Sequence, residues 1–156
     1  MLKMSKMADY GTVVLTTMVR DPALIQSAAG IAALIRVPVP TVSKILKILT
    51  REGLVVSLRG AKGGYMLACQ PSQISISQII QAMDGPIGMT ECSITPGLCT
   101  QESDCPVRAN WQRVNRIVLQ ALDQVSLEQM IQPLPETVDI SALRRPVLQA
   151  TASIEQ

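Results

Sequence analysis

The stretch that most constrains this chain is Glu91–Cys105, which holds three of the four cysteines, Cys92, Cys99 and Cys105, with six and then five residues between them. Its Thr95-Pro96-Gly97 and the polar residues around it suit neither a strand nor a helix. The segment therefore reads as a loop able to fold three thiolates toward one point. Soft thiolates hold iron firmly, and a harder, labile fourth ligand would leave an edge where an oxidant, nitric oxide or loss of iron can act. That pattern suits a sensor better than an electron carrier. The candidate guest is an iron-sulfur cluster of two or four irons. Two other readings stay open: a three-cysteine zinc site, although the short ligand spacings of structural zinc are missing, and a metal-free thiol-disulfide switch. Cys69, beside Pro71, reads as an inert buried cysteine.

The chain has no histidine, so Ser-His-Asp and Cys-His catalysis are excluded and any metal sees sulfur and oxygen. No base, nucleophile pair or cofactor cradle stands out, which argues against an enzyme and against a small-molecule substrate. Aromatic residues are Tyr10, Tyr65 and Trp111 alone, too few to stack the bases of a single strand. Charge is divided unevenly. Up to Ala68 nine lysines and arginines face three acids, whereas from Cys69 onward five arginines face nine acids. The front of the chain seeks a polyanion. The apolar run Gly11 to Val19 is too short to span a bilayer and is closed by Arg20-Asp21, so no membrane association and a cytoplasmic location are expected.

At 156 residues the chain can bury one core with an appended arm. Ser5 can cap a first helix to about Arg20, with Met7, Tyr10, Val14 and Met18 on one face and Asp9 off it. Ser27 opens a second helix carrying Ile31, Leu34 and Ile35. Pro40 suits the first position of a third, whose inward face is Val42, Ile45, Leu46 and Leu49. Thr41, Ser43, Lys44, Lys47 and Arg51 remain for the outside. Gly53 ends that helix, and two short strands follow, Val55–Leu58 and Tyr65–Ala68, joined by Arg59-Gly60-Ala61-Lys62-Gly63-Gly64 with Arg59 at the tip. Helix, turn, helix and basic glycine-rich hairpin is the order of a winged helix-turn-helix. The DNA-contacting candidates are Thr41, Ser43, Lys44, Lys47, Arg59 and Lys62.

Ser75-Ile76-Ser77-Gln78 looks like a capping box for a short helix closed by Asp84-Gly85-Pro86. After the cysteine loop, Pro106 starts a long helix with Val107, Trp111, Val114, Val118, Ala121, Leu122 and Val125 at helical spacing. The simplest partner for that seam is the same helix of a second subunit, through Trp111, Val114, Val118 and Leu122; packing back onto its own domain is the alternative.

Met4-Ser5-Lys6-Met7-Ala8-Asp9-Tyr10, Pro40-Thr41-Val42-Ser43-Lys44, the wing Arg59 to Tyr65 and the three-cysteine loop together resemble the Rrf2 family over roughly residues 1 to 132. Met89 to Cys92 through Asn110 to Arg113 is most similar to its Suf-type iron-sulfur assembly regulators. The resemblance implies a mainly α fold with a small β-hairpin wing, and a homodimeric, iron-sulfur-dependent repressor of assembly genes that binds double-stranded operator DNA. Sensing of nitric oxide or redox state by the same architecture is the alternative, and a metal-independent interaction scaffold is another. It also implies three cysteine ligands per subunit. Some members take the fourth from a histidine three residues after the last cysteine, where this chain has Arg108. Others take it from an aspartate on the first helix of the opposite subunit, matched here by Asp9. The expected division is a DNA-binding domain over 1–84, a cluster loop over 85–105, a dimerisation helix over 106–132 and a flexible tail over 133–156.

Overall fold

The protein is described by a computed structural model over residues 4–133. All but the first residue of the expected tail lie outside the described residues. Helix α1 (Lys6–Val19) begins where Ser5 Oγ accepts the Ala8 amide, and α2 (Ala28–Ile35) where Ser27 Oγ accepts the Gly30 amide. Each side chain satisfies an N–H that the helix itself leaves orphaned. Arg36 then adopts the left-handed conformation, φ 56°, and turns the chain into α3 (Val39–Arg51). The chain bends by 119° between α2 and α3, an angle usual for a helix-turn-helix. Pro40 sits second in α3, behind Val39, rather than first.

Val42, Ile45, Leu46 and Leu49 of α3 are all wholly buried, as their spacing predicts. They meet Val14, Leu15 and Met18 of α1 and Ile31 of α2 in one core. Full burial of each such side chain contributes about 1.5–3 kcal/mol. Leu34 departs from expectation. It is 67% exposed, while Ile31 and Ala32 are buried and Ala28 and Ile35 pack against the edge of the core.

Strands β1 (Val55–Leu58) and β2 (Gly64–Leu67) pair antiparallel with Val55 opposite Leu67 and Leu58 opposite Gly64. The second strand thus starts and ends one residue earlier than the sequence suggests. A further bridge roots the hairpin: Gln26 N donates to Tyr65 O at 2.9 Å and Tyr65 N to Gln26 O at 2.8 Å. The close approach requires Gly64, where a Cβ would lie 2.6 Å from Gln26 O.

After a 3-10 turn at Pro71–Gln73, the expected capping box opens α4 (Ile76–Asp84). Glu91–Ile94 forms one helical turn, α5, so Cys92 is helical and the expectation of an irregular loop there is corrected. Helix α6 (Arg108–Asp123) follows, then α7 (Leu127–Met130) under its own Ser126 capping box. The chain returns to its core at this point. Ile76 N donates to Val125 O at 2.9 Å, Leu127 N to Ile74 O at 2.8 Å, and Leu127 is completely buried. Among the described residues no single helix is long and apolar enough to cross a membrane.

Candidate nucleic-acid interface and cysteine loop

The amphipathic pattern of α3 fixes which side chains face out. With four apolar residues committed to the core, Lys44 and Lys47 are exposed, and Thr41 and Ser43 are half-buried on its flank. Arg51 also faces solvent but is engaged by Glu52, Nε to Oε1 at 2.9 Å. The hairpin carries the second group of cations. Gly63 N donates to Gly60 O at 2.9 Å, closing a turn whose central residues are Ala61 and Lys62. Lys62 therefore occupies the apex and Arg59 its root, both exposed, which shifts the tip from where the sequence places it. Gly60, at φ 110°, supplies a backbone geometry that side chains resist. Exposed cations on a helix and on an adjacent hairpin can engage phosphates on either side of a groove.

The second candidate site is the segment between α4 and α6. Thr90 Oγ1 lies 3.3 Å from Cys92 Sγ and 2.8 Å from Ser93 Oγ, fixing the start of α5. Further on, Gly97 N donates to Glu102 Oε2 at 2.5 Å, and the other oxygen of that carboxylate pairs with the Arg108 guanidinium. Glu102 is thus a polar tie from the turn after Cys92 to the first residue of α6. Asn115 makes a second tie. It is only 5% exposed, and its Oδ1 accepts the Met89 amide at 3.1 Å. A cavity of about 340 Å³ separates segment and helix, lined by Cys92, Pro96, Gln112, Asn115, Arg116 and Leu119.

Cys92, Cys99 and Cys105 are free and half-buried, all within this one segment. Among the described residues, however, no three cysteine, aspartate or glutamate side chains stand close enough together to hold a metal ion. The convergence expected of the three sulfurs is therefore absent from the single chain, and exposed Asp9 on the first turn of α1 does not join them. Two features still fit an iron-sulfur guest: the donor set of three thiols, and a buried Arg108 Nε that has no hydrogen-bond partner among the described residues, beside the backbone bond from Arg108 N to Cys105 O. Cys69 is exposed just beyond β2, which corrects the reading of it as buried.

The apolar seam of α6 is divided. Trp111 (41% exposed) and Val114 lie open, together with Ile117, whereas Val118 and Leu122 are half-buried and Leu122 packs against the core. Asn115, Glu102 and Gln26 were not singled out by sequence. Only Asn115 left a trace there, as one polar residue set four places from Trp111 on that stripe.

Helix-turn-helix, wing and basic outer face together define the winged helix-turn-helix class. Residues 4–133 match the family described as Rrf2, Iron-dependent Transcriptional regulator, and the chain belongs to that family. An HTH-type transcriptional regulator of Neisseria meningitidis is 36% identical over 84 residues, which cover 54% of this chain and 56% of that one. The chain thus spans little more than half the length of such curated relatives. Among solved structures it is similar to CymR, the global cysteine regulator of B. subtilis, with TM-score 0.65 and 28% identity over 83% of this chain and 96% of that one. The IscR of T. potens gives TM-score 0.63 and 25% identity over 83% and 85%. These relatives are named as transcriptional regulators, not as enzymes.

Proposed function

We propose that this Rrf2-family regulator is a homodimer that grips double-stranded operator DNA and represses iron-sulfur assembly genes of the suf type under control of an iron-sulfur cluster. Lys44 and Lys47 of α3, flanked by Thr41 and Ser43, enter the major groove, while Arg59 and Lys62 hold the neighbouring backbone or minor groove. The open face of α6 around Trp111 and Val114 meets the same face of a second chain, with Val118 and Leu122 at its margin. Cys92, Cys99 and Cys105 would hold the cluster, with two or four irons, and Asp9 of the opposite subunit is the candidate fourth ligand. When bound, the cluster supplies sensitivity to oxidants, nitric oxide and iron supply.

The observation that carries this reading is the placement of three half-buried free thiols in one segment that Glu102 and Asn115 tie to α6. Those ties give the segment a direct route to the helix assigned to dimerisation. Isolation without oxygen, with iron and sulfide counted per chain, tests it. The expected result is a brown protein that bleaches in air, with colour lost in Cys99→Ala and kept in Cys69→Ala. A colourless protein with neither element refutes the cluster. It would favour a regulator that works without a cluster, a reading supported by the lack of convergence among the three sulfurs.

A further inference from the structure

We infer that Val39, backed by Pro40, reads the 5-methyl group of a thymine in the major groove and is a specificity-determining residue of α3; this rests on the duplex-binding reading above. The helix starts Pro38-Val39-Pro40, all three exposed, with Val39 at 44%. In a helix-turn-helix the first residues of the second helix are the ones that meet base edges. Ahead of Thr41, the start of this helix offers little beyond the Val39 N–H with which to hydrogen-bond. Its three side chains carry no polar atom, and Pro38 and Pro40 have no N–H. The Thr41 and Val42 amides already donate to Pro38 O, at 2.9 and 3.1 Å. No side chain caps the helix, and its first turn holds no acid.

The floor of the major groove presents donors, acceptors and one apolar projection, the thymine methyl. Against Val39 an adenine, guanine or cytosine would lose hydrogen bonds to water and gain none in return, which is costly. Thymine alone offers a surface that the turn can cover. A lone exposed valine is ordinary on a protein surface. Its position here, leading a helix that bears Lys44 and Lys47 and that packs on the first strand of the cationic wing, points to a polyanionic duplex as its occupant instead of an apolar peptide.

The experiment begins with the full chain enriching duplexes from a random pool. Each thymine of the winning duplex is then replaced singly by deoxyuridine, which removes the methyl and nothing else. Loss of one buried methyl predicts about a fourfold drop in affinity at one thymine per half-site. Val39→Ala, which faces solvent and should unfold at the wild-type temperature, is expected to bind that duplex with the deoxyuridine penalty at the same site reduced to less than about twofold. Enrichment without any methyl-dependent position, or an undiminished penalty in Val39→Ala, would overturn this assignment alone. Failure of the wild-type chain to enrich any duplex would overturn the DNA reading and Val39 with it.

Discussion

Replacing Asn115 by alanine tests whether a single buried amide holds the cysteine segment to α6. Asn115 is the one residue of that helix that is buried, and it lies outside the apolar core. Its Oδ1 takes the Met89 N–H at 3.1 Å, whereas its Nδ2 stands 3.5 Å from Ile87 O, too far to contribute much. One part-buried hydrogen bond is worth about 0.5–1.5 kcal/mol net, and about 1–3 kcal/mol when the donor is left without an acceptor. Asn115→Ala should therefore cost about 1–2 kcal/mol, felt near residues 87–89 more than in the core. Amide hydrogen exchange reads this directly. Protection at Met89 should fall by roughly five- to thirtyfold, while amides of α1 and α3 keep their ranking. Arg113→Ala, exposed on the same helix, is the control and should leave Met89 unchanged. If the two variants exchange alike at Met89, the amide does not pin the segment. If Asn115→Ala instead lowers protection equally across α1 and α3, Asn115 supports the whole fold and not one segment.

Lys44→Ala and Arg59→Ala should each weaken duplex binding and reduce the salt dependence of affinity by about one counterion, measured by titration at several salt concentrations. Full, salt-insensitive binding in both would remove the assigned surface. Gly64→Ala drives a Cβ to within 2.6 Å of Gln26 O, so it should cost about 1–3 kcal/mol in urea denaturation and detach the wing. Gly53→Ala, with open space around it but φ 75°, should cost only about 1 kcal/mol. Trp111→Glu should convert a dimer to a monomer in sedimentation without changing the helical circular dichroism. A wild-type chain that sediments as a monomer would refute the pairing assigned to α6.

What could be read from the sequence followed from the contrast between faces. Helix α3 sets four buried apolar residues against lysines, so both its core side and its outer side were evident from spacing. Helix α2 offers no such contrast. Its eight residues are all alanine, glycine, isoleucine or leucine, and nothing in them marks Leu34 as exposed while Ile31 is buried. A turn as short as Glu91–Ile94 cannot establish a helical period, which is why Cys92 was expected in irregular chain. The Glu102 tie joins a loop glycine to the first residue of α6 under no spacing rule, and Gln26 pairs with Tyr65 as one isolated bridge, too short to alternate. The three cysteines were conspicuous for their crowding. Their relative placement in space was not, because five or six intervening residues allow many loop paths.

The bonds that Val125 and Leu127 make with Ile76 and Ile74 give the region from α4 to α7 the form of a stirrup. Both feet of this excursion stand at the threshold of α4, with α1 packed against α4 on one side and α7 on the other. Between its feet the excursion also meets the core, against which Leu122 packs, while Asp84 accepts from Ser5 and α1 and α3 lie against α4. A rearrangement among the cysteines that moved α4 would thus press on α1 and α3, the two helices packed against it.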